Sequence, residues 1–140
     1  MKPLITLLIL LFSKMAFSQA RQTGEVSKKQ ILTKVLAVKE VKVFYKLARK
    51  HQPTIVYNGG PHPGLNYYWA QVGYGDDDMM RTIFHFYVAP KTLKVFYVDL
   101  ATAQGSEGIL TLKQWRYLRT TPGWNKPHYY KAGKLVVLAN

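Results

Sequence analysis

Three consecutive aspartates, Asp76, Asp77 and Asp78, and four histidines, His51, His62, His85 and His128, are the side chains of this sequence best suited to hold a metal ion or move a proton. Hard cations such as Ca²⁺ and Mg²⁺ favour clustered carboxylate oxygens. The aspartate run has neither the glycine nor the distal glutamate of a Ca²⁺ loop, so it reads first as a solvated hairpin turn. The histidines fall in four separate expected elements, and no two stand four residues apart as zinc ligands on one helix face do. His85 lies inside an aromatic run and is expected to be a half-buried, hydrogen-bonded side chain. No metal and no cofactor is therefore expected.

Covalent catalysis finds little material. Cysteine is absent, no G-x-S-x-G elbow occurs, and Ser27 and Ser106 have no His/Asp pattern beside them. Glu25, Glu40 and Glu107 are the only glutamates, and no two share a helix or strand as a glycosidase pair might. The loop Asn58-Gly-Gly-Pro-His-Pro-Gly64 lacks the Lys-Ser/Thr of a phosphate loop. The alternative to a binding protein is a small metal-dependent hydrolase built on Asp76–Asp78 with His62 or His85.

Charge is the stronger signal. The 140 residues carry a formal net charge of +13. Residues 28–50 hold eight basic side chains and one acid, Glu40. Such a stripe self-repels and exceeds what solubility requires, which favours an anionic partner. The start of the chain, MKPLITLLILLFSKMAFSQA, places Lys2 before a nine-residue apolar run, with Ser18 and Ala20 small at a cleavage position. That layout predicts a signal peptide over residues 1–20 and a product that is periplasmic or secreted, and soluble. The apolar run falls short of the roughly 20 residues that span a bilayer. For an exported protein, an acidic protein in the cell envelope or outside it is the expected partner. An anionic glycan or a lipid surface comes next, and nucleic acid is not expected.

The elements that must position these groups follow from periodicity. From Ser27, an expected N-cap, Ile31, Val35, Val38, Val41, Tyr45 and Ala48 recur at helical spacing. Lys39, Lys42, Lys46 and Arg49 form a second stripe. The segment is one amphipathic helix of five or six turns, or two helices meeting near Ala37 to Lys39, and Pro53 ends it. Strands are expected at 54–57, 66–74, 81–88 and 93–100. In the third, Phe84, Phe86 and Val88 share one face and Ile83, His85 and Tyr87 the other. In the fourth, Leu93, Val95 and Tyr97 oppose Lys94, Phe96 and Val98. Neither face is polar, so the second face is expected to be covered by the C-terminal tail or by a partner, the tail being favoured. Thr111 and Gln114 make a capping box that opens a short helix through Trp115 and Leu118. Residues 120–140 are expected to be an irregular tail, with KLVVL adding at most one strand.

Helices segregated from strands indicate an α+β domain over residues 21–119, an N-terminal amphipathic helix packed on a three- to four-stranded antiparallel sheet. The stretch YYWAQVGY, a polar turn, then FHFYVAPKTLKVFYVD resembles the strand region of PepSY-like domains, which are related in shape to cystatins. Pro90, Lys91, Thr92 and Asp99 match that family's turn and strand end, while Ala89 stands in place of its acidic turn residue and Leu93 in place of its glycine. The resemblance implies a non-catalytic, extracytoplasmic binding role, as a peptidase inhibitor or an envelope adaptor. The expected contact residues are His62, Tyr67 and Trp69 beside the 58–64 loop, with Lys39, Lys42, Lys46 and Arg49 steering an acidic partner. Adhesion to anionic envelope polymers through the basic helix is a further reading.

Overall fold

The computed structural model describes residues 26–75, 79–102 and 108–138. The expected signal peptide and the Asp76–Asp78 turn lie outside the described residues. The chain runs through α1 (Lys28–Leu36), α2 (Lys39–Leu47), a 3-10 turn (Arg49–His51), β1 (Pro53–Gly59), β2 (Tyr68–Tyr74), β3 (Arg81–Val88), β4 (Val95–Asp99), β5 (Gly108–Thr111), α3 (Leu112–Leu118), β6 (His128–Lys131) and β7 (Lys134–Val137). The first five strands form an antiparallel meander in chain order, and β6 and β7 form a separate hairpin. No helix among the described residues is long and apolar enough to cross a membrane.

The basic segment forms two helices rather than one. Ser27 caps α1 reciprocally: its hydroxyl accepts from the Gln30 amide, and the Gln30 side chain accepts from the Ser27 amide. Val38 then takes an extended conformation (φ −63°, ψ 130°) between the helices. The break leaves Ile31, Val35, Val38 and Val41 all buried. β-branched residues have weak helix propensity, and here burial against the sheet supplies what propensity does not.

One sheet face carries the core. Ile55 and Tyr57, Ala70 and Val72, Phe84, Phe86 and Val88, Val95 and Tyr97, and Leu110 pair across successive strands. They pack with Ile31, Val35, Val38 and Val41 from the first two helices and with Trp115 and Leu118 from α3. Trp115 is the aromatic centre of this layer. It stacks on Tyr97 (4.3 Å between centroids, 4° between planes) and meets Phe84 and Phe86 edge-on. Such geometries add about 0.5–1.5 kcal/mol per pair beyond area burial.

Three expectations are corrected. The sheet has five strands where three or four were expected, the fifth being β5, a short edge strand that runs directly into the α3 N-cap Thr111. The tail is irregular only as far as Pro127: the strand expected in KLVVL is present as Lys134–Val137, and His128–Lys131 pairs with it in a hairpin around Ala132 and Gly133, both at positive φ. Nor does the tail cover the second sheet face. Trp124, Tyr130 and Leu135 pack onto the same core as the helices. On the second face Tyr67 stacks on Tyr87 (5.5 Å) and meets the edge of Phe96, and Tyr87 is buried beneath it. Ile83 and Ile109 remain exposed there.

Candidate functional site: a divided cationic groove

An open groove of about 650 Å³ lies where the α1–α2 junction approaches β4 and the start of α3. Lys34, Lys39, Lys94, Lys113 and Arg116 line it, with Ala37, Val38, Val95, Thr111 and Leu112 as its floor. The cations come from three stretches of the chain that are distant in sequence. Lys34 is in the last turn of α1 and Lys39 opens α2. Lys94 precedes β4, with its ammonium 5.3 Å from the Phe96 ring centroid. Lys113 and Arg116 come from α3, whose start is fixed by the Thr111–Gln114 capping box.

Arg116 also bonds to Glu40, through Nε to Oε1 at 2.8 Å and through a second guanidinium nitrogen to Oε2 at 2.9 Å. The Arg116 hydrogen bond holds the Glu40 carboxyl below its ordinary range, and Arg119 adds to the effect. Glu40 faces a second, smaller groove of about 360 Å³ that it lines with Lys39, Val43, Phe44, Leu47, Phe84 and Arg119. Lys39 is common to both grooves, so the Glu40–Arg116 pair is the partition between them. The pair engages Glu40, and among the described residues no other carboxylate stands in the lining of either groove.

The expected contact residues are split. Lys39, Lys42, Lys46 and Arg49 are exposed on the helical side of the sheet. Tyr67 and Trp69 lie on the opposite face, where Trp69 stacks on His85 at 6.2 Å. The Trp69 indole nitrogen is buried with no hydrogen-bond partner among the described residues. His62 is exposed in the 58–64 loop, with Nδ1 2.9 Å from the Pro63 carbonyl. That loop turns at Gly60, where φ is +95° and the Tyr67 carbonyl lies against the Cα, so any side chain would collide with backbone. Lys39 alone among the seven lines the cationic groove. Sequence reading missed Lys34, Lys94, Lys113 and Arg116 because no local pattern links them.

A second polar cluster was also missed. His128 and Asp99, both buried, meet through Nε2 and Oδ2 at 2.7 Å. The Tyr130 hydroxyl donates to the same carboxylate oxygen at 2.6 Å, and the Ala101 amide donates to the other at 2.9 Å. His128 Nδ1 faces the Lys126 carbonyl at 2.7 Å. Both ring nitrogens therefore lie within hydrogen-bond distance of an oxygen, one of Asp99 and one of the Lys126 carbonyl. Burial, then the Asp99 hydrogen bond and charge, push the Tyr130 hydroxyl well above its ordinary range. Burial and the Asp99 charge push Tyr97 up to about 12. Every polar atom of the Asp99–His128 pair is engaged inside the protein, so the cluster ties the hairpin to the sheet. Among the described residues no three His, Asp or Glu side chains come together as a metal site.

Comparison with protein-family models, with curated proteins and with solved structures returned no match.

Proposed function

We propose that this protein is an exported, non-catalytic binding domain that holds an acidic protein partner in the cationic groove. The observation that carries the reading is that Lys34, Lys39, Lys94 and Lys113 line one groove and that Glu40, the one acid beside it among the described residues, is already paired with Arg116. Cations gathered from three separate stretches of the chain beside apolar lining residues give an anionic chain both charge and shape to recognise. A solvated stripe on a single helix would give charge alone.

The kinship to PepSY-like and cystatin-like domains belongs to this proposal. Helices laid on one face of an antiparallel meander suit it. So does Leu93, which stands where that family's turn has glycine and takes a φ of 54°, a conformation glycine adopts without strain. The inhibitor and adaptor roles are two forms of the same binding activity, and the groove favours neither.

The test is equilibrium binding of fluorescently labelled poly-glutamate and of a sulfated glycan. Each is measured near 0.1 M salt, where charges act over about 10 Å, and near 1 M, where they act over about 3 Å. The proposal expects poly-glutamate binding that weakens steeply with salt and is lost when Lys34, Lys39, Lys94 and Lys113 are changed to Glu. Binding of the glycan with none of poly-glutamate would favour adhesion to envelope polymers instead. No binding of either polymer near 0.1 M salt would overturn the proposal.

A further inference from the structure

The smaller groove adds an apolar arm to the cationic one. On α2, Val43 and Leu47 are four residues apart and so stand on one side of the helix, one turn above the other. They are 49% and 77% exposed, high for large aliphatic side chains. Phe44 and Phe84, in edge contact at 5.8 Å, lie beside them in the groove, and Lys39 and Arg119 complete the lining. Lys39 also lines the cationic groove, so an elongated ligand could lie along both across the Glu40–Arg116 partition. Among possible occupants, a second copy of this chain would bring +13 against +13 and is opposed by charge. A ligand with acids toward the lysines and an apolar ridge toward Val43 and Leu47 matches both arms. A helix presents such a ridge at i, i+3, i+4 and i+7 spacing.

Resting on the binding role proposed above, we infer that the partner contributes an acidic amphipathic helix. Its carboxylates lie over Lys34, Lys39, Lys94 and Lys113, and its apolar ridge enters the groove between Val43, Leu47 and Phe84.

The experiment uses the full chain and three synthetic peptides of equal length. The first is rich in glutamate with leucines at i, i+3, i+4 and i+7. The second replaces those leucines by alanine, and the third replaces the glutamates by glutamine. The first peptide is expected to bind at least about tenfold more tightly than either of the others. A V43S/L47S double variant, which alters exposed side chains and leaves the core intact, should lose that advantage while binding the second peptide as before. Equal binding of the first two peptides, unchanged in V43S/L47S, would overturn this inference yet leave the acidic-partner role standing. Loss of poly-glutamate binding would remove both. Two further results would overturn the inference by giving the strip to another occupant. One is self-association that V43S/L47S abolishes. The other is tight binding to phosphatidylglycerol vesicles that the first peptide does not displace.

Discussion

Arg116 on α3 grips Glu40 on α2 with two parallel hydrogen bonds, joining residues 76 positions apart and walling one groove off from the next. The Glu40 side chain is 12% exposed and that of Arg116 44%, so the pair sits at the surface with its carboxylate sheltered. The contact ties α2 directly to α3. It also sets the local electrostatics, because it neutralises the acid that lies beside the groove lysines among the described residues.

Glu40→Gln should therefore separate a structural effect from a binding one. Exposed pairs of this kind contribute about 0.5–1 kcal/mol, and a loss of that order is expected in urea unfolding at neutral pH. The folded carboxyl is held below its ordinary value of 4.5. Its contribution is thus complete above that value and fades as pH falls through the lower folded value. E40Q should flatten that part of the acid limb. The same variant should bind poly-glutamate more tightly, since a negative charge has left the partition.

Breaking the buried polar cluster should cost more. Asp99→Ala removes the partner shared by His128, the Tyr130 hydroxyl and the Ala101 amide, and each buried polar group left unsatisfied costs about 1–3 kcal/mol. Tyr130→Phe removes one hydrogen bond to a charged group, worth about 1.5–3 kcal/mol. In both variants hydrogen exchange should rise first in β6 and β7, the elements this cluster holds against the sheet. Uniform loss of protection across the sheet would contradict the assignment of the cluster as a latch.

The tyrosines give a second pH window, with the opposite sign. Folding raises the proton affinity of Tyr97 and Tyr130 above the ordinary value of 10, to about 12 for Tyr97 and further for Tyr130. Their contribution to stability is complete below pH 10 and is lost as pH rises through the folded values. An absorbance titration of the native protein should show Tyr97 and Tyr130 among the tyrosines that ionise late or only on unfolding, with Tyr45, raised by burial, also above the ordinary value. Y130F should remove one of them.

Gly108 tests the seam between hairpin and sheet. A methyl group there would run into the Tyr130 ring. Gly108→Ala should therefore displace Tyr130 from Asp99 and destabilise the protein, and Y130A should relieve part of that effect in the double variant. Additive losses in a double-mutant cycle would contradict the contact.

Much of this architecture could be read from periodicity. The buried stripe from Ile31 to Val41, the alternation of Phe84, Phe86 and Val88, the Ser27 N-cap and the Thr111–Gln114 capping box are local patterns, and each was legible for that reason. Where the pattern left two options, as at Val38, tertiary burial decided for two helices. Of the hairpin, the KLVV strand was legible from its apolar run, but its four-residue partner, rich in tyrosine, and the turn with Ala132 in a left-handed conformation that alanine seldom adopts were not. The cationic groove was half legible. Lys39 stood out on its helix, whereas Lys34, Lys94, Lys113 and Arg116 come together only through the meander and α3. The Asp99–His128 pair spans 29 residues and had no spacing to betray it.

The most direct measurement compares two charge-reversed proteins of identical net charge. One carries K34E, K39E, K94E and K113E in the groove. The other carries K91E, K126E, K131E and K134E, all at exposed positions elsewhere. Both are checked for native unfolding transitions and titrated with poly-glutamate at low salt. The account predicts that the first loses binding and the second keeps most of it. Equal losses in both would mean that the overall charge of the molecule, and no particular groove, attracts the polyanion.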